Sequence, residues 1–392
     1  MQGSGLMDER DRGSDANGQF LSQQELNRAT LARQMLLQRQ RFSALDALEH
    51  LVGMQSQVPR SPYVGLWARL QDFQADELAA LMASRQAVRA PLMRATIHLA
   101  SARDCLVLWP LMQPVLERNL FTGSPFGRNL KGMDIAALLD VGRELIEEEP
   151  RTTAELKRLL TERWPDRDGS SMAYAVNHLL PVVQVTPRGL WLESGQTKWT
   201  TTGAWLGQGL DPAPAIERLI LRYLGAFGPA SVADMQNWSG LSRLRETFEL
   251  FRPQLLAFRD TSGKQLFDLP EAPRPEASAM APVRFLPVYD NLFLGHADRS
   301  RFFAADTVVP PYPGNGREVG SILVDGFFRG IWKIEVEKRG ALLRIEAFEG
   351  LPRDWFPAVR EEGKRLLAFA AADAERREID WEGSSLRGRH AE

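Results

Sequence analysis

Residues 152–194 have the sequence TTAELKRLLTERWPDRDGSSMAYAVNHLLPVVQVTPRGLWLES, and this stretch decides the predicted fold. Thr152 or Thr153 is predicted to cap one helix, and Ser170 or Ser171 to cap the next, because hydroxyl side chains accept hydrogen bonds from the free backbone N–H groups at a helix start. Apolar residues follow each cap at helical spacing. The first part of the stretch therefore predicts two successive helices.

A β-hairpin is predicted at the end of the same stretch. Apolar and polar residues alternate on both sides of a Pro-Arg-Gly turn at 187–189, which is typical of paired strands. Another helix is predicted over Ile135–Ile146, ahead of the two capped helices. Three helices followed by a hairpin is the order of a winged helix, whose third helix usually enters the major groove of DNA.

The same order recurs further along the chain. Residues 216–224 predict a helix that ends at Gly225, and the sequence GPASVADMQNWSGLS at 228–242 predicts a capped helix and a turn. A helix over 243–251 and a hairpin around the Thr-Ser-Gly turn at 261–263 complete this unit. The repeated order indicates that this unit is another winged helix.

The N-terminal block has a similar plan. Apolar spacing predicts a first helix over 26–36, and Ser43 is predicted to cap a second one. Helices are expected over Val64–Leu70 and Glu77–Ser84, followed by two short strands in AVRAPLMRATIHLA at 87–100. The three blocks together indicate an internal structural repeat, although their sequences are not alike.

The chain changes character after a Pro- and Ala-rich linker at 271–282. Five or six strands are predicted beyond it, as a small sheet or barrel, and then a helix over roughly 358–376. Residues 1–21 and 381–392 lack periodic apolar positions, so both ends are predicted to be disordered. The predicted class is α+β.

Composition restricts the kind of protein. The 392 residues are 44% apolar and 25% charged, and no apolar run reaches the roughly 20 residues of a membrane span, so we expect a cytoplasmic protein without a membrane partner. With Cys105 as the only cysteine and five scattered histidines, neither a disulfide nor a metal site is expected. The net charge of −2 argues mildly against DNA binding unless basic residues gather on one face.

Familiar catalytic patterns are absent from the sequence, including the P-loop and the nucleophile elbow. Gln55 and Gln57 stand out at the end of an apolar helix. Their side chains would share a face in extended backbone but diverge by about 200° in a helix. Pro59 favours the extended form, so the two amides can converge. The alternative from spacing alone is that both are ordinary polar residues at a helix end.

Four segments resemble a known family. The stretch LVGMQSQVPRSPYVGLWARL at 51–70 is similar to the Gln-hydrophobic-Gln signature region of the AlkZ-like DNA glycosylases, which belong with the YcaQ-like enzymes to a larger group of tandem winged-helix proteins. Further similarity lies in MRATIHLAS, GPASVADMQNWSGLS and FLPVYDNLFLGHADRSR, in the family's order. Gln57 favours the AlkZ-like branch, because the YcaQ-like branch has Asp there. Ser56 departs from the family's usual apolar residue.

The resemblance implies three tandem winged helices and a β-barrel-like domain around duplex DNA. The corresponding boundaries are a leader at 1–21, winged helices at 22–132, 133–211 and 212–270, a barrel-like domain with a final helix at 283–380, and a tail at 381–392. It also implies hydrolysis of the N-glycosidic bond of N7-alkylated purines, including bulky adducts and some interstrand crosslinks, by a monomer without a cofactor. In that interpretation Gln55 and Gln57 are the catalytic pair. General repair and self-resistance to one alkylating metabolite both fit it.

The chemistry agrees with two amides and no carboxylate. An N7-alkylguanine already carries a positive charge, so it departs as a neutral base and needs no strong acid. The enzyme must then place one water and tolerate an oxocarbenium-like sugar. Two amide oxygens can hold the water, and positioning with electrostatic preorganisation supplies several kcal/mol. The pair therefore predicts selectivity for cationic lesions and a monofunctional course.

Four further residues are candidates for DNA binding. Arg60 and Arg94 could lie near the glutamine loop and bind phosphates, or could be solvent-facing or ion-paired. His98 lies in a predicted strand and could face DNA or be structural. Arg188, on the second hairpin, is a natural phosphate contact.

A polar cluster around Asp290, Asn291 and His296 allows a second catalytic hypothesis. An aspartate activates water in many glycosylases, but Asp290 could equally cap backbone N–H groups in a turn. Trp191 is predicted to belong to the core rather than to stack on bases. Two other functions remain open on the sequence: a non-enzymatic winged-helix DNA-binding regulator, and a set of modules for protein contacts.

Overall fold

The computed structural model describes residues 19–304, 318–336 and 340–383, and shows a mixed α+β chain. Residues 1–18 of the predicted leader and residues 384–392 of the predicted tail lie outside the described residues. Residues 381–383 were also predicted to belong to the disordered tail, and this is wrong, because they pair with residues 345–347 as the end of the last strand. None of the helices in the described part of the chain has the length and apolar character that crossing a membrane requires.

The first unit contains the predicted helices and strands, and additional ones. Its elements are β1 (Phe20–Leu21), α1 (Gln23–Arg33), α2 (Ala44–His50), β2 (Met54–Gln55), α3 (Ser61–Arg69), α4 (Ala75–Ala83), β3 (Ala87–Pro91), β4 (Ile97–Ser101), α5 (Ala102–Arg118) and α6 (Phe126–Asn129). Ser43 caps α2 as predicted, and its side chain accepts a hydrogen bond from the Asp46 N–H. The helix α5 was not predicted, because Pro110 and Pro114 lie inside it and proline disfavours helix interiors.

The second unit follows the order read from the sequence. Its elements are α7 (Ile135–Glu148), β5 (Arg151–Thr152), α8 (Thr153–Arg163), α9 (Gly169–Leu179), β6 (Val182–Gln184), β7 (Lys198–Thr201) and α10 (Thr202–Leu206). Thr152 caps α8, as one of the two predicted alternatives. The predicted cap of α9 at Ser170 or Ser171 is wrong, because the carboxylate of Asp168 accepts the Ser171 N–H instead.

The third helix of each of the first two units has no exposed face. Every residue of α3 and of α9 is buried or half-buried. The helices α5 and α6 pack against α9, and the rings of Phe126 and Tyr174 lie 4.4 Å apart across that contact. The helices α5 and α6 therefore cover part of the surface of α9.

The third unit also has three helices and a hairpin. Its elements are α11 (Ile216–Phe227), α12 (Val232–Ser239), α13 (Arg245–Phe251), β8 (Leu256–Asp260) and β9 (Gln265–Asp268). The helix α11 continues past the predicted end at Gly225, whereas α12 ends as predicted at Gly240, which is left-handed with φ 81°. Phe20 and Leu21 pair with β8 in parallel, so these two residues are a strand and not part of a disordered leader.

The C-terminal sheet is open, and the predicted β-barrel is wrong. Its elements are β10 (Arg284–Leu286), α14 (Asn291–Leu294), β11 (Gly320–Val324), β12 (Phe327–Val336), β13 (Gly340–Ala347), α15 (Phe356–Ala370) and β14 (Arg376–Gly383). The strand order is β10-β11-β12-β13-β14, and no pairing between the described residues of β10 and β14 closes it. The final helix α15 was predicted, and it covers the apolar face with Val359 and Leu366, which lie in one core with Phe285 and Leu343. A helix therefore fills the space that a closed barrel would enclose.

One sheet joins the first two units and positions the glutamine segment. Its strand order is β2-β4-β3-β6-β7-β5, so β3 of the first unit is next to β6 of the second. The two units meet where Arg89 pairs with Gln184. The edge strand β2 ends at Gln55.

Candidate active site

The glutamine segment begins on the edge strand β2 and leaves it in a bend at residues 57–58. Gln55 is paired with His98 on β4, and the Ser56 N–H donates to the Ile97 carbonyl at 2.7 Å. The amide oxygen of Gln57 accepts a hydrogen bond from the Ile97 N–H at 3.3 Å. Both glutamines therefore contact the β3–β4 hairpin, Gln55 from a buried position and Gln57 from an exposed one.

Two neighbours hold Gln55. Its side chain is almost buried, and its Oε1 accepts a hydrogen bond from Nη2 of Arg94 at 2.8 Å. Because a guanidinium only donates, this contact determines which end of the amide is the oxygen. On the backbone side, the Gln55 N–H faces Oδ1 of Asn291 at 3.4 Å, and Nδ2 of Asn291 donates to the Gly53 carbonyl at 2.7 Å.

Arg94 lies at the tip of the β3–β4 hairpin, where the chain is left-handed. Arg94 and Ala95 both have φ 56°, a conformation that side chains other than glycine rarely adopt. The guanidinium also donates to the Trp238 carbonyl and approaches Nε2 of His98 at 3.4 Å. Burial lowers the pKa of Arg94 to about 10, which leaves it charged at neutral pH. Three acceptors from three parts of the chain thus hold this cation.

His98 is neutral and buried beneath Gln55. Its Nδ1 lies 3.0 Å from the Thr96 carbonyl and must donate there, so Nε2 is the acceptor that faces Arg94. Burial, with a contribution from the Arg94 charge, lowers the pKa of His98 to about 3. His98 therefore holds Arg94 in place and does not reach the surface.

Asp290 has a structural role at the other side of the segment. Both of its carboxylate oxygens accept hydrogen bonds from Arg69, at 2.8 and 2.7 Å, and both side chains are fully buried. Its Oδ1 also accepts the Leu292 N–H at 2.9 Å and caps α14, as the turn alternative predicted. His296 in the same cluster is buried, with Nε2 2.9 Å from the Phe227 carbonyl. The carboxylate of Asp290 is therefore occupied by protein groups.

Comparison with known proteins shows the family and the fold of the chain. A family profile described as DNA glycosylase AlkZ-like matches residues 48–369. The chain belongs to the AlkZ-like DNA glycosylase family. The solved structure of Streptomyces sahachiroi DNA glycosylase AlkZ is similar in fold, with a TM-score of 0.73 at 20% identity, over 93% of this chain and 100% of that one. A search of curated proteins gives no match.

The glycosylase has an exposed cation next to its glutamine segment. Arg60 immediately precedes α3 and is exposed, and its guanidinium lies 5.8 Å from the ring centroid of Trp191. Trp191 lies in the loop after β6, is half-buried and packs against the hydrophobic core of the first unit, with its ring 4.9 Å from that of Tyr63. Gln57 is exposed on the same stretch of chain.

A groove begins next to Arg60 and Trp191. A cavity of about 250 Å³ is bordered by Val58, Arg60, Trp191, Trp332 and Ala370. It shares Arg60, Trp191 and Ala370 with a second cavity of about 520 Å³ that extends along the C-terminal end of α15. Val58 directly follows Gln57, so the groove begins one residue from the glutamine segment of this glycosylase.

Arg188 is folded back onto its own loop. It is half-buried, and its Nη1 donates to the Gly195 carbonyl at 3.1 Å. The loop between β6 and β7 is longer than the predicted tight turn, and it packs against α3, where the Tyr63 hydroxyl donates to the Gly189 carbonyl at 2.9 Å. The hairpin that carries Arg188 is therefore attached to the first unit.

Two contributors at this site were not identified from the sequence. Arg69 is the single charged residue in helix α3, and Arg89 is the single charged residue in strand β3. A lone charge in an apolar segment is the signal that could have revealed both residues. Within the described ranges, no group of three or more His, Cys, Asp or Glu side chains could hold a metal ion.

Proposed function

We propose that this DNA glycosylase hydrolyses the N-glycosidic bond of N7-alkylated, cationic purines in duplex DNA, with Gln55 and Gln57 as the catalytic pair. The observation that carries the proposal is the character of the groups around the pair. The described side chains that hydrogen-bond to Gln55 are Arg94 and Asn291, and the nearby carboxylate of Asp290 is bound to Arg69. A site built from amides suits a leaving group that is already charged.

The two amide oxygens can still hold a water. Each accepts one hydrogen bond from the protein, and an amide oxygen has two lone pairs. The second lone pair of each is free to accept from a water aimed at C1′ of the sugar. The fixed donors Arg94 and Ile97 N–H keep both dipoles in place, so no reorganisation is needed as positive charge develops on the sugar.

The cations near the pair have two different roles in this proposal. Arg60 is exposed and Arg188 half-buried, and both would contact DNA phosphates. Arg94 and His98 are hydrogen-bonded beneath Gln55 and would position it rather than meet the DNA directly. The three helix–hairpin units would act as winged helices that hold the duplex, but without reading bases through α3 or α9, which have no exposed residue.

The groove beside Gln57 supports an extension to bulky adducts. A planar substituent on the alkylated base could lie against Trp191 and Trp332, whereas an N7-methyl group needs no such space. The exposed position of Gln57 also suits a lesion that remains attached to a second strand, as in a crosslink.

The test is a base-release assay. The protein is incubated with a duplex that carries one N7-methylguanine, the free base is measured by chromatography, and abasic sites are measured after alkaline treatment. Release from this duplex, with none from a matched uracil duplex, is expected. Absence of release, or equal release of uracil, would overturn the proposal. Borohydride trapping should give no covalent complex, because the course is monofunctional.

A further inference from the structure

Arg89 lies at the centre of the sheet that joins the first two units. Its strand β3 pairs with β4 through Leu99 on one side and with β6 through Gln184 on the other. The side chain is almost completely buried, with 2% of the residue exposed. Arg89 therefore occupies the one position where the first unit, the second unit and the glutamine segment meet.

The guanidinium of Arg89 holds the backbone between the two glutamines. Its Nη2 donates to the Ser56 carbonyl at 2.7 Å, in a buried contact. The Ser56 N–H is bound to Ile97 on the opposite side. Both backbone polar groups of Ser56 are thus fixed: β4 holds the Gln55–Ser56 peptide and Arg89 holds the Ser56–Gln57 peptide.

Stability alone does not account for a cation at this position. Burial, with a smaller contribution from the charge of Arg188, lowers the pKa of Arg89 to about 10, so the group is still a cation at neutral pH. The ion pairs found among the described residues do not include Arg89, and its Nε and Nη1 have no hydrogen-bond partner there. A buried cation without a carboxylate is costly, and an apolar side chain of the same length would often be more stable.

The second unit closes over Arg89. Gly189 has φ 97°, and a Cβ on it would lie 2.8 Å from Nη1 and 2.9 Å from Cδ of Arg89. The carbonyl of Gly189 is bound by Tyr63 on α3. The guanidinium of Arg89 therefore packs against the loop of the second unit, and that loop is attached to helix α3 of the first unit.

We propose that Arg89 is a positioning residue for base release. It sets the orientation of the Ser56 peptide, and so the separation of the Gln55 and Gln57 amides, and it connects that geometry to the loop of the second unit that carries Arg188. This inference rests on the proposed function of the glutamine pair. Arg89 itself does not contact the substrate.

The experiment compares Arg89→Met and Arg89→Lys with a matched control, Arg284→Met. Arg284 is another buried arginine whose pKa is lowered to about 10 by burial, and it donates to a backbone carbonyl, that of Leu36, away from the glutamine segment. Single-turnover release of N7-methylguanine and the Kd for the same duplex are measured for each protein, corrected for the folded fraction.

For Arg89→Met we expect a fall of about 30-fold in the single-turnover rate, because small displacements of reacting groups can cost that much, with Kd changed less than about threefold. Arg89→Lys should recover part of the rate by donating to the same carbonyl. Arg284→Met should keep the wild-type rate. Equal rates in Arg89→Met and Arg284→Met would overturn the inference.

A second measurement does not depend on activity. Amide hydrogen exchange at residues 55–58 should be faster in Arg89→Met than in wild type, and unchanged there in Arg284→Met. If Arg89→Met fails to fold, Gly189→Ala, which pushes on Nη1 from the second unit, should produce the same local change. Unchanged exchange would overturn the inference. A wild-type protein that releases no base overturns the proposed function instead, and the exchange result still decides whether Arg89 positions the segment.

Discussion

Nη2 of Arg94 donates a 2.8 Å hydrogen bond to Oε1 of Gln55, although 39 residues separate them in the chain. The contact fixes the amide of a side chain that would otherwise rotate freely. It also connects Gln55 through Arg94 to His98 and to the third unit at Trp238. The reactivity of the glutamine pair is therefore expected to depend on residues that do not touch DNA.

The first prediction concerns the pair itself. Gln55→Ala and Gln57→Ala should each lower the single-turnover rate of N7-methylguanine release by about 100-fold, since each removes one preorganised dipole. The Kd for the lesion duplex should change less than threefold, as measured by fluorescence anisotropy. The exposed Gln113 on α5 offers a control, because Gln113→Ala should leave both values unchanged. Wild-type rates in both glutamine variants would refute the assignment.

The second prediction separates positioning from DNA binding at Arg94. Arg94→Ala should lower the release rate about tenfold, because Gln55 loses its fixed donor. The dependence of DNA affinity on salt should be nearly unchanged, since the guanidinium is bound to protein acceptors. By contrast, Arg60→Ala should reduce the slope of log affinity against log salt by about one. A reduced slope in Arg94→Ala would show instead that Arg94 meets a phosphate.

The third prediction follows from the depressed pKa of His98. The folded-state pKa is about 3, below the usual value of 6.5, so the folded protein binds fewer protons than the unfolded chain between these values. This contribution to stability is present above pH 6.5 and is lost as the pH falls towards 3. For one histidine the free energy of unfolding should drop by about 2 kcal/mol between pH 7 and pH 5.

Urea unfolding of wild type and His98→Gln at both pH values measures this contribution. Glutamine can donate to Thr96 and accept from Arg94 without titrating, so the variant should lose about 2 kcal/mol less than wild type. An equal loss in the two proteins would contradict a neutral, buried His98.

The fourth prediction tests the structural role of Asp290. Asp290→Asn should lower the free energy of unfolding by about 3 kcal/mol, because the buried guanidinium of Arg69 loses its charge partner. Adding Arg69→Met should recover part of that loss, because the unpaired charge is removed. If Asp290→Asn were as stable as wild type but released no base, Asp290 would be a reacting carboxylate and not a cap.

The fifth prediction concerns the groove at Trp191. Ala370→Trp should fill the space between Trp191 and Trp332. Release of an N7-guanine adduct with a large planar substituent should then fall about tenfold relative to release of N7-methylguanine, because the substituent loses its contact surface. The ratio of the two rates cancels any general loss of activity. An unchanged ratio would show that bulky adducts do not use the groove.

The order of helices and strands was predictable where neighbours in sequence determine it. The caps at Ser43 and Thr152 bond to residues three positions away, and the hairpin after α13 pairs residues within twelve positions of each other, and all were predicted. The errors have two causes. The cap of α9 was assigned wrongly within a local stretch, because Asp168 lies only two and three residues before the predicted serines and its carboxylate accepts the Ser171 N–H. Phe20 and Leu21, by contrast, are a strand because the distant strand β8 pairs with them.

The residues of the candidate site also fall into those that the sequence predicted and those whose contacts only the structure showed. The sequence singled out Gln55 and Gln57 as candidates, and extended backbone is found at Gln55 but not at Gln57, which lies in a bend. The sequence could not show that Arg94 donates to Gln55 and approaches His98. Those contacts depend on the left-handed turn at Arg94 and on the third unit, whose Trp238 carbonyl accepts a hydrogen bond from the Arg94 guanidinium.

By itself the sequence determined the α+β class, the repeated helix–hairpin order and the glutamine pair, because caps, apolar periodicity and turn residues act over a few positions. Only the tertiary structure decided that the C-terminal sheet stays open under α15, that α9 is covered by α5 and α6, and that Arg89 holds the peptide between the two glutamines. These outcomes depend on which surfaces bury one another across more than one unit. Burial and hydrogen bonding between distant segments have no signature in a local stretch of chain.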